Sequence, residues 1–201
     1  MRFVWSFVFI SAGFLLLFYP QIEKEAADTK QEKLIQTFKQ LGDANEYEEQ
    51  EPSIEVQENQ KQIELLEGAR GIIHIPKIDL EMLIFEGAGK VPLKKGTGMI
   101  EPDKEFGINN VGIAGHRSTT FGKQFNRLDE LSHNDEIIVE TKTGTYEFVV
   151  VQKFVVDRSE VGVLNDKKEP FLTLVTCTPI GKKNPTDRLI VQAKLKNKSG
   201  K

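Results

Sequence analysis

The sequence predicts a mostly β protein, with about eight short strands closed or nearly closed into a barrel and only short helices. From residue 71 onward, short apolar runs rich in β-branched residues alternate with turn residues, as at Gly71–Ile75 and Phe171–Cys177. Lys142–Gly144 is a hairpin turn signal between two such runs. Helical spacing in this part of the chain is confined to one stretch, Asn126–Leu131. This pattern favours a barrel.

Turn residues and apolar spacing set the limits of each predicted element. Pro76 separates the first two strands, Gly115 ends the third, and Phe125, Leu128 and Leu131 recur at the spacing of a helical turn. The predicted strands are Gly71–Ile75, Ile78–Phe85, Val111–Ala114, Asp135–Thr141, Tyr146–Val156, Phe171–Cys177 and Arg188–Leu195. The barrel domain is thus predicted over residues 70–197, followed by a tail at 198–201.

The chain begins with an uncharged apolar segment. Phe3–Tyr19 carries no charge and stops at Pro20. As a helix it would span about 26 Å, enough to cross a bilayer. A cleaved signal peptide is the alternative, but the small pair Ala26-Ala27 is a poor cleavage site. We expect a transmembrane anchor at 3–19, with residues 1–2 in the cytoplasm and the rest outside the cell, because Arg2 is positive and the other flank is acidic.

Residues 20–69 are predicted to form an extracellular acidic tether. Residues 21–67 carry 13 acidic and 5 basic side chains, a net charge of −8 in a chain whose total is −3. Helical spacing predicts a short amphipathic helix with the apolar residues Leu34, Ile35, Phe38 and Leu41. The Glu-rich stretch after it is typical of a solvated tether, and an arm packed over the functional site is the alternative. The rest of the chain is too weakly basic for a nucleic-acid partner.

Cys177 is the only cysteine in the chain. Exported proteins generally pair their cysteines, so an odd one indicates a reactive thiol or an intermolecular bridge. It ends an apolar run and precedes Thr178-Pro179, so it is predicted at the C-terminal edge of a strand, facing a groove. A buried cysteine acting as a small hydrophobe is the alternative. With three histidines and no Cys-x-x-Cys pair, the sequence predicts no metal site and no cofactor.

Two further residues are predicted near Cys177. His116 follows Gly115 just past a predicted strand end, where glycine lets the backbone turn and the ring project into a cleft. Arg188 opens the strand after the 178–187 loop, and antiparallel neighbours would place it at the same rim as Cys177. A thiol needs a nearby base or cation, and an oxyanion needs a fixed donor. Cys177, His116 and Arg188 supply these roles without a metal.

Other residues of the same types have simpler interpretations. His74 lies within a predicted strand and His133 in a turn, so a structural and a solvated role are expected for them. Arg117 and Arg158 compete with Arg188 for the oxyanion role. The acids near residues 101–105 are a possible cation cluster or, more simply, a solvated turn.

This constellation closely resembles the sortase family, the membrane-anchored cysteine transpeptidases of Gram-positive bacteria. The resemblance rests on Thr173-Leu174-Val175-Thr176-Cys177-Thr178-Pro179, with Arg188 eleven positions further on, and on Gly115-His116-Arg117-Ser118 upstream. It covers roughly residues 70–196 and implies a sortase-type β-barrel. The stretch from His116 to Leu128 is most similar to class D enzymes. Class C enzymes share the Thr-Cys-Thr-Pro stretch but typically add a C-terminal membrane helix and an aromatic lid.

The resemblance implies a mechanism and a set of partners. Cys177 would attack the Thr–Gly-type bond of an LPxTG-like sorting signal and form a thioacyl-enzyme. An amine of lipid II or peptidoglycan would then resolve it and join the surface protein to the cell wall. His116 would act as general acid and base, and Arg188 would stabilise the oxyanion.

The Leu-Pro part of such a signal requires an apolar groove. Val161, Val163 and Leu164, in the segment between the strands that end and begin near residues 156 and 170, are its predicted lining, together with Thr176. A core role is an equal alternative for the first three.

Two rival interpretations follow from the same residues. An exported L,D-transpeptidase also uses cysteine and histidine on cell wall, but its usual His-Gly-Cys cluster is missing around Cys177. A non-enzymatic anchored β-domain that binds wall or protein ligands would carry Cys177 incidentally. Replacing Cys177 by alanine separates these interpretations, because a binder keeps its activity and a transpeptidase loses it.

Overall fold

The computed structural model describes residues 29, 31–40, 63–117, 124–182 and 184–200. The chain divides into two compact units, residues 1–63 and 64–201. In the first unit, residues 31–40 form a helix, α1, in which Leu34, Ile35 and Phe38 are buried. This confirms the short amphipathic helix that their spacing predicts.

A membrane span was predicted at residues 3–19. That segment lies outside the described residues, as does the Glu-rich part of the tether. Within the ranges that are described, no helix is both long and apolar enough to cross a membrane. The anchor and the tether therefore stay predictions.

The second unit is a closed eight-stranded barrel, which confirms the predicted fold class. Its strands are β1 (Ala69–Ile75), β2 (Leu80–Glu86), β3 (Thr97–Met99), β4 (Asn110–Ala114), β5 (Glu136–Thr141), β6 (Gly144–Asp157), β7 (Phe171–Thr178) and β8 (Asp187–Gly200). Around the barrel they follow the order β1-β2-β3-β4-β7-β8-β6-β5. The pairs β2–β3 and β4–β7 are parallel and the other pairs are antiparallel.

Short helical segments lie between the strands. They are the α-helix α2 (Lys90–Lys95) and the 3-10 turns Pro76–Ile78, Leu128–Glu130 and Val161–Leu164. Neither α2 nor β3 was predicted, because six and three residues are too few for a period to emerge from the sequence. Strand β8 also runs past the predicted domain end, because Lys198 and Ser199 pair with Tyr146 and Thr145 of β6.

Alternating side chains fill the barrel interior. On β7, Leu172 and Leu174 belong to the core, and on β8 the core residues are Leu189, Val191 and Ala193. Successive side chains of a strand point to opposite faces of the sheet. The even-numbered residues of β7 thus face inward and its odd-numbered residues face outward, whereas on β8 the even-numbered residues face outward.

We predict that Phe148→Ala destabilises the barrel by about 3–5 kcal/mol, because Phe148 is fully buried in the core on β6. Chemical denaturation of the full chain measures the loss. Val91→Ala is the control: Val91 is 65% exposed on α2, and its truncation should change stability by no more than about 0.5 kcal/mol. Equal effects of the two variants would contradict this account of the core.

Candidate active site

Cys177 and Arg188 face each other across neighbouring strands. In the antiparallel pair β7–β8 their Cα atoms are register partners, and both side chains are on the outward face. This confirms that the 178–187 loop returns the chain to the same rim. Cys177 is a free thiol and is partly exposed.

His116 lies on the other side of β7 from Arg188, just past the end of β4. The parallel pair β4–β7 aligns Ala114 with Val175, and the Gly115 N–H donates to the Val175 carbonyl at 3.1 Å. Continuing this register by two residues would bring the His116 backbone next to Cys177. The imidazole is exposed. His116 just past the end of β4, Cys177 on β7 and Arg188 on β8 thus follow one another across the sheet, in a row here called the catalytic row.

Gly115 fits here for a different reason than the sequence indicates. A Cβ at this position would lie 2.6 Å from Cδ2 and 2.7 Å from Cγ of Phe125, and its φ is outside the left-handed region. The Phe125 ring is fully buried against the inner side of this residue. Glycine is therefore required by close packing under His116 rather than by a turn.

Thr176 faces the interior of the barrel. Its hydroxyl donates to the Gly115 carbonyl at 2.8 Å, and the residue is only 2% exposed. Thr176 was predicted to line the substrate groove, and its buried, inward position does not fit that role. It ties the residue before Cys177 to the residue before His116 instead.

The competing arginines occupy different surroundings. Arg117 points inward, is 7% exposed, and forms an ion pair with Asp129 at 2.8 Å. The side chain of Arg158 is exposed and lies outside the catalytic row. Of the three arginines, Arg188 is the one in register with Cys177.

The Arg188 guanidinium is held by its own loop. Its Nη1 donates to the carbonyls of Pro185 at 2.8 Å and Asp187 at 3.0 Å. In the described part of the chain it forms no ion pair. One guanidinium nitrogen thus fixes the position of the side chain. The remaining N–H donors are not neutralised by a carboxylate, which is a requirement for a donor to an oxyanion.

An apolar row lies beside the catalytic row on the same outer face. The strand registers align Ala114, Val175 and Ile190 on β4, β7 and β8. This row is two residues, or about 7 Å along the strands, from the catalytic row. Phe154 of β6 extends this row as the partner of Ile190. These residues were not predicted, although the alternation of side chains puts Val175, two residues before Cys177, and Ile190, two residues after Arg188, on the same face as those residues.

A buried polar cluster, here called the polar clasp, occupies the next part of this face. It consists of Asn110, Thr173 and Gln192, each at most 2% exposed. The Thr173 hydroxyl donates to Asn110 Oδ1 at 2.7 Å, and Gln192 Nε2 donates to Thr173 Oγ1 at 3.2 Å. Both amides also donate to the Val163 carbonyl, Asn110 at 3.0 Å and Gln192 at 2.9 Å. The clasp therefore fastens the β6–β7 loop, residues 158–170, to the barrel.

Two charged residues fix the same loop from its far side. Lys104 donates to the Leu164 carbonyl at 2.7 Å. Asp166 accepts from the Asn110 backbone N–H at 2.9 Å and from the Asn109 side-chain amide at 3.1 Å. These two hydrogen bonds hold the pKa of Asp166 below its ordinary value, with the backbone donor the larger cause. The loop is thus pinned while Asp166 is ionised.

The predicted groove residues lie in this pinned loop. Leu164 packs on the outer face, since a Cβ on Gly112 would come within 2.6 Å of its Cδ2. Val163 is partly buried beside it, and Val161 is 69% exposed. Leu164 and the Val163 carbonyl thus lie against the barrel face that carries the catalytic row, and contact of the three residues with a substrate stays a prediction.

The remaining candidates lie elsewhere. His74 is on β1, three strands from β4 in barrel order, and His133 is exposed in a turn. Glu101 is paired with Lys104 at 2.9 Å. No group of three His, Cys, Asp or Glu side chains suited to a metal ion occurs among the residues that the structure describes.

Comparisons with known proteins agree with this fold. The family model of the sortase domain matches residues 73–196. Sortase D of Bacillus subtilis is 31% identical over 118 residues, which cover 55% of each chain. The chain spans about half the length of the curated relatives it matches.

Two solved structures extend the comparison to three dimensions. Listeria monocytogenes sortase A is 25% identical with a TM-score of 0.63, covering 67% of this chain and 91% of that one. A Clostridium perfringens sortase D5 transpeptidase is 29% identical with a TM-score of 0.62, covering 83% and 98%. The barrel fold is therefore shared with sortases of known structure. The chain belongs to the sortase family.

We predict that Thr173→Val loosens the β6–β7 loop. Removing the hydroxyl leaves Asn110 Oδ1 without its donor in the buried clasp, which costs about 1–3 kcal/mol. Hydrogen exchange of amides 161–166 should accelerate, and chemical denaturation should show the lower stability. Thr145→Val, on a partly exposed position of β6, is the control. Unchanged exchange at 161–166 in Thr173→Val would contradict a role for the clasp in holding the loop.

Proposed function

We propose that this protein is a sortase-type cysteine transpeptidase. It cleaves an LPxTG-like sorting signal and joins the new carboxyl end to an amine of a cell-wall precursor such as lipid II or peptidoglycan. The observation that carries the proposal is the catalytic row, in which Arg188 is the register partner of Cys177 and His116 follows the last paired residue of β4 by two positions. Membership of the family supports the reaction class.

Acylation begins at the Cys177 sulfur. The thiolate attacks the carbonyl carbon of the fourth residue of the signal, and the carbonyl oxygen becomes an oxyanion. The Arg188 guanidinium donates to that oxyanion, a contribution of about 3–4 kcal/mol for one well-placed donor. The C–N bond then breaks, His116 gives a proton to the leaving amine, and a thioester remains on Cys177.

Deacylation reverses these roles. An incoming amine attacks the thioester carbon and gives its proton to His116, and the C–S bond breaks to return the Cys177 thiolate. One amide bond is broken and one is formed, so the cycle balances without any external reactant besides the amine. Cys177, His116 and Arg188 end each turnover as they began it.

The apolar row supports recognition of the Leu-Pro part of the signal. Ala114 and Val175, both partly exposed, offer no charge next to the catalytic row, and Val161, Val163 and Leu164 of the pinned loop form the proposed wall. Burial of a leucine side chain in such a groove stabilises the complex by about 1.5–3 kcal/mol. Similarity to sortase D and to a sortase D5 transpeptidase favours a class D type of enzyme.

We place the enzyme on the outer side of the cell membrane, held by the apolar segment at residues 3–19. An anchored enzyme, a tailed substrate and a lipid-linked acceptor would share one membrane plane, which raises their effective concentration. The test is alkaline extraction of membranes together with protease accessibility of the barrel in intact cells. Release of the full-length chain by alkali, or protection of the barrel from protease, would overturn this placement.

We predict that the full-length chain forms an acyl-enzyme on Cys177. Fluorogenic peptides of the form Leu-Pro-x-Thr-Gly, with Ala and Ser as alternatives at the last position, would be incubated with the enzyme in mild detergent. Mass spectrometry should find a thioester adduct that an added amine removes, and Cys177→Ala should form none. A readily alkylated thiol that accepts no peptide would argue against the proposed substrate class. An inert thiol together with retained binding to cell wall would instead favour an anchored binding domain.

We predict that Arg188→Lys lowers kcat by on the order of 10²-fold, because lysine has one nitrogen and cannot hold the loop carbonyls with it while a second nitrogen faces the oxyanion. Steady-state cleavage of the best peptide measures the change, and alkylation of Cys177 by iodoacetamide reports whether the thiol itself is altered. Arg158→Lys is the matched control and should leave both values unchanged. Wild-type kcat in Arg188→Lys would rule out the oxyanion role.

A further inference from the structure

We propose that Arg117 is a positioning residue that sets the spacing between His116 and Cys177. Its Nη1 donates to the Thr178 hydroxyl at 2.9 Å. Arg117 directly follows His116, and Thr178 directly follows Cys177. One hydrogen bond therefore joins the two residues that come next after the two proposed reacting groups.

This contact has a counterpart on the other side of the catalytic pair. The Thr176 hydroxyl donates to the Gly115 carbonyl at 2.8 Å, which joins the residues that precede Cys177 and His116. The two ties bracket the pair along the strands. They form on the side of the strands opposite to the reacting groups, so they fix the backbone positions without occupying the substrate face.

The second nitrogen of the Arg117 guanidinium is anchored as well. Nη2 lies 2.8 Å from Asp129 Oδ1, within the 3-10 turn Leu128–Glu130, and Leu128 of that turn is fully buried in the core. Lys153 of β6 donates to the carbonyls of Asp129 and, at 2.8 Å, Leu131. Arg117 thus connects the end of β7 to a turn that is itself packed on the core and tied to β6.

His116 depends on this anchorage more than Cys177 does. Strand β4 ends at Ala114, so His116 is beyond the last residue of its strand, whereas Cys177 is inside β7 and is paired with Arg188 on β8. Arg117 also forms an isolated β-bridge with Gln124. Since reacting groups must be held within a fraction of an ångström, loss of the Arg117 contact is expected to affect proton transfer by His116 before it affects substrate binding.

The inference rests on the proposed function, and the experiment distinguishes a failure of the inference from a failure of that function. Thr178→Val removes the hydroxyl with little change of shape, Thr178→Ser keeps it, and Arg117→Lys keeps a charge but cannot reach both Thr178 and Asp129 through one rigid fork. Arg127→Lys is the matched control. Arg127 forms a similar two-nitrogen pair with Glu130 at 2.7 Å and 2.7 Å in the same segment, but it donates to Ile78 rather than to a catalytic strand.

The measurements are kcat and KM for peptide cleavage, and the rate of Cys177 alkylation by iodoacetamide, on full-length protein at a temperature where every variant is folded. We expect kcat to fall about 10-fold in Thr178→Val and up to about 10²-fold in Arg117→Lys, with KM within twofold of wild type. Thr178→Ser should recover most of the loss, and Arg127→Lys should retain wild-type kcat. Alkylation should slow in the same order.

Three results would overturn the inference. Wild-type kcat in folded Arg117→Lys and Thr178→Val would make the contact purely structural. A raised KM at unchanged kcat would place Arg117 in substrate binding. An equal loss in Arg127→Lys would mean that any weakened ion pair in this segment has the same effect. If wild-type protein cleaves no sorting peptide, the proposed function fails, and the order of alkylation rates still decides the role of Arg117.

Discussion

The parallel pairing of β4 with β7 is the constraint on which the site depends, because His116 and Cys177 are 61 residues apart in the chain and meet only through this register. Parallel strands cannot be joined by a hairpin and need a long connection. Here the connection contains β5 and β6, which then pair with β1 and β8 to close the barrel. Closure of the barrel and assembly of the site are thus consequences of one strand arrangement.

The two faces of these strands have separate tasks. Inward residues such as Leu174 and Val191 fill the core, and Thr176 ties β7 to the chain just beyond β4. Outward residues include Cys177 and Arg188, because side chains along β7 and β8 alternate between the inner and the outer face of the barrel. Changes in the reacting groups therefore need not disturb the packing that positions them, while changes beneath them alter their geometry without touching a substrate.

The β6–β7 loop is held on the barrel by polar contacts. The polar clasp, Lys104 and Asp166 fix its backbone carbonyls and its acidic side chain to the barrel. Each contact is buried or partly buried, so breaking one leaves an unsatisfied group and the loop has few alternative positions. A wall that is already ordered loses less conformational entropy on binding than a mobile one, which leaves more of the apolar contact free energy available for affinity.

The sequence by itself determined the strands long enough to show a period and the barrel class, because alternation is a local signal. It also predicted Cys177 and Arg188 at one rim, as the β7–β8 register has them. It did not determine β3, which is only three residues long. It also did not determine that Thr176 faces inward, because alternation separates the two faces of a strand but does not tell which face packs on the core. The close approach of Phe125 to Gly115 and the contact of Arg117 with Thr178 were decided only by tertiary structure. Both join segments that are distant in the chain or on different strands, and no local pattern encodes which residues the closing of a barrel will bring together.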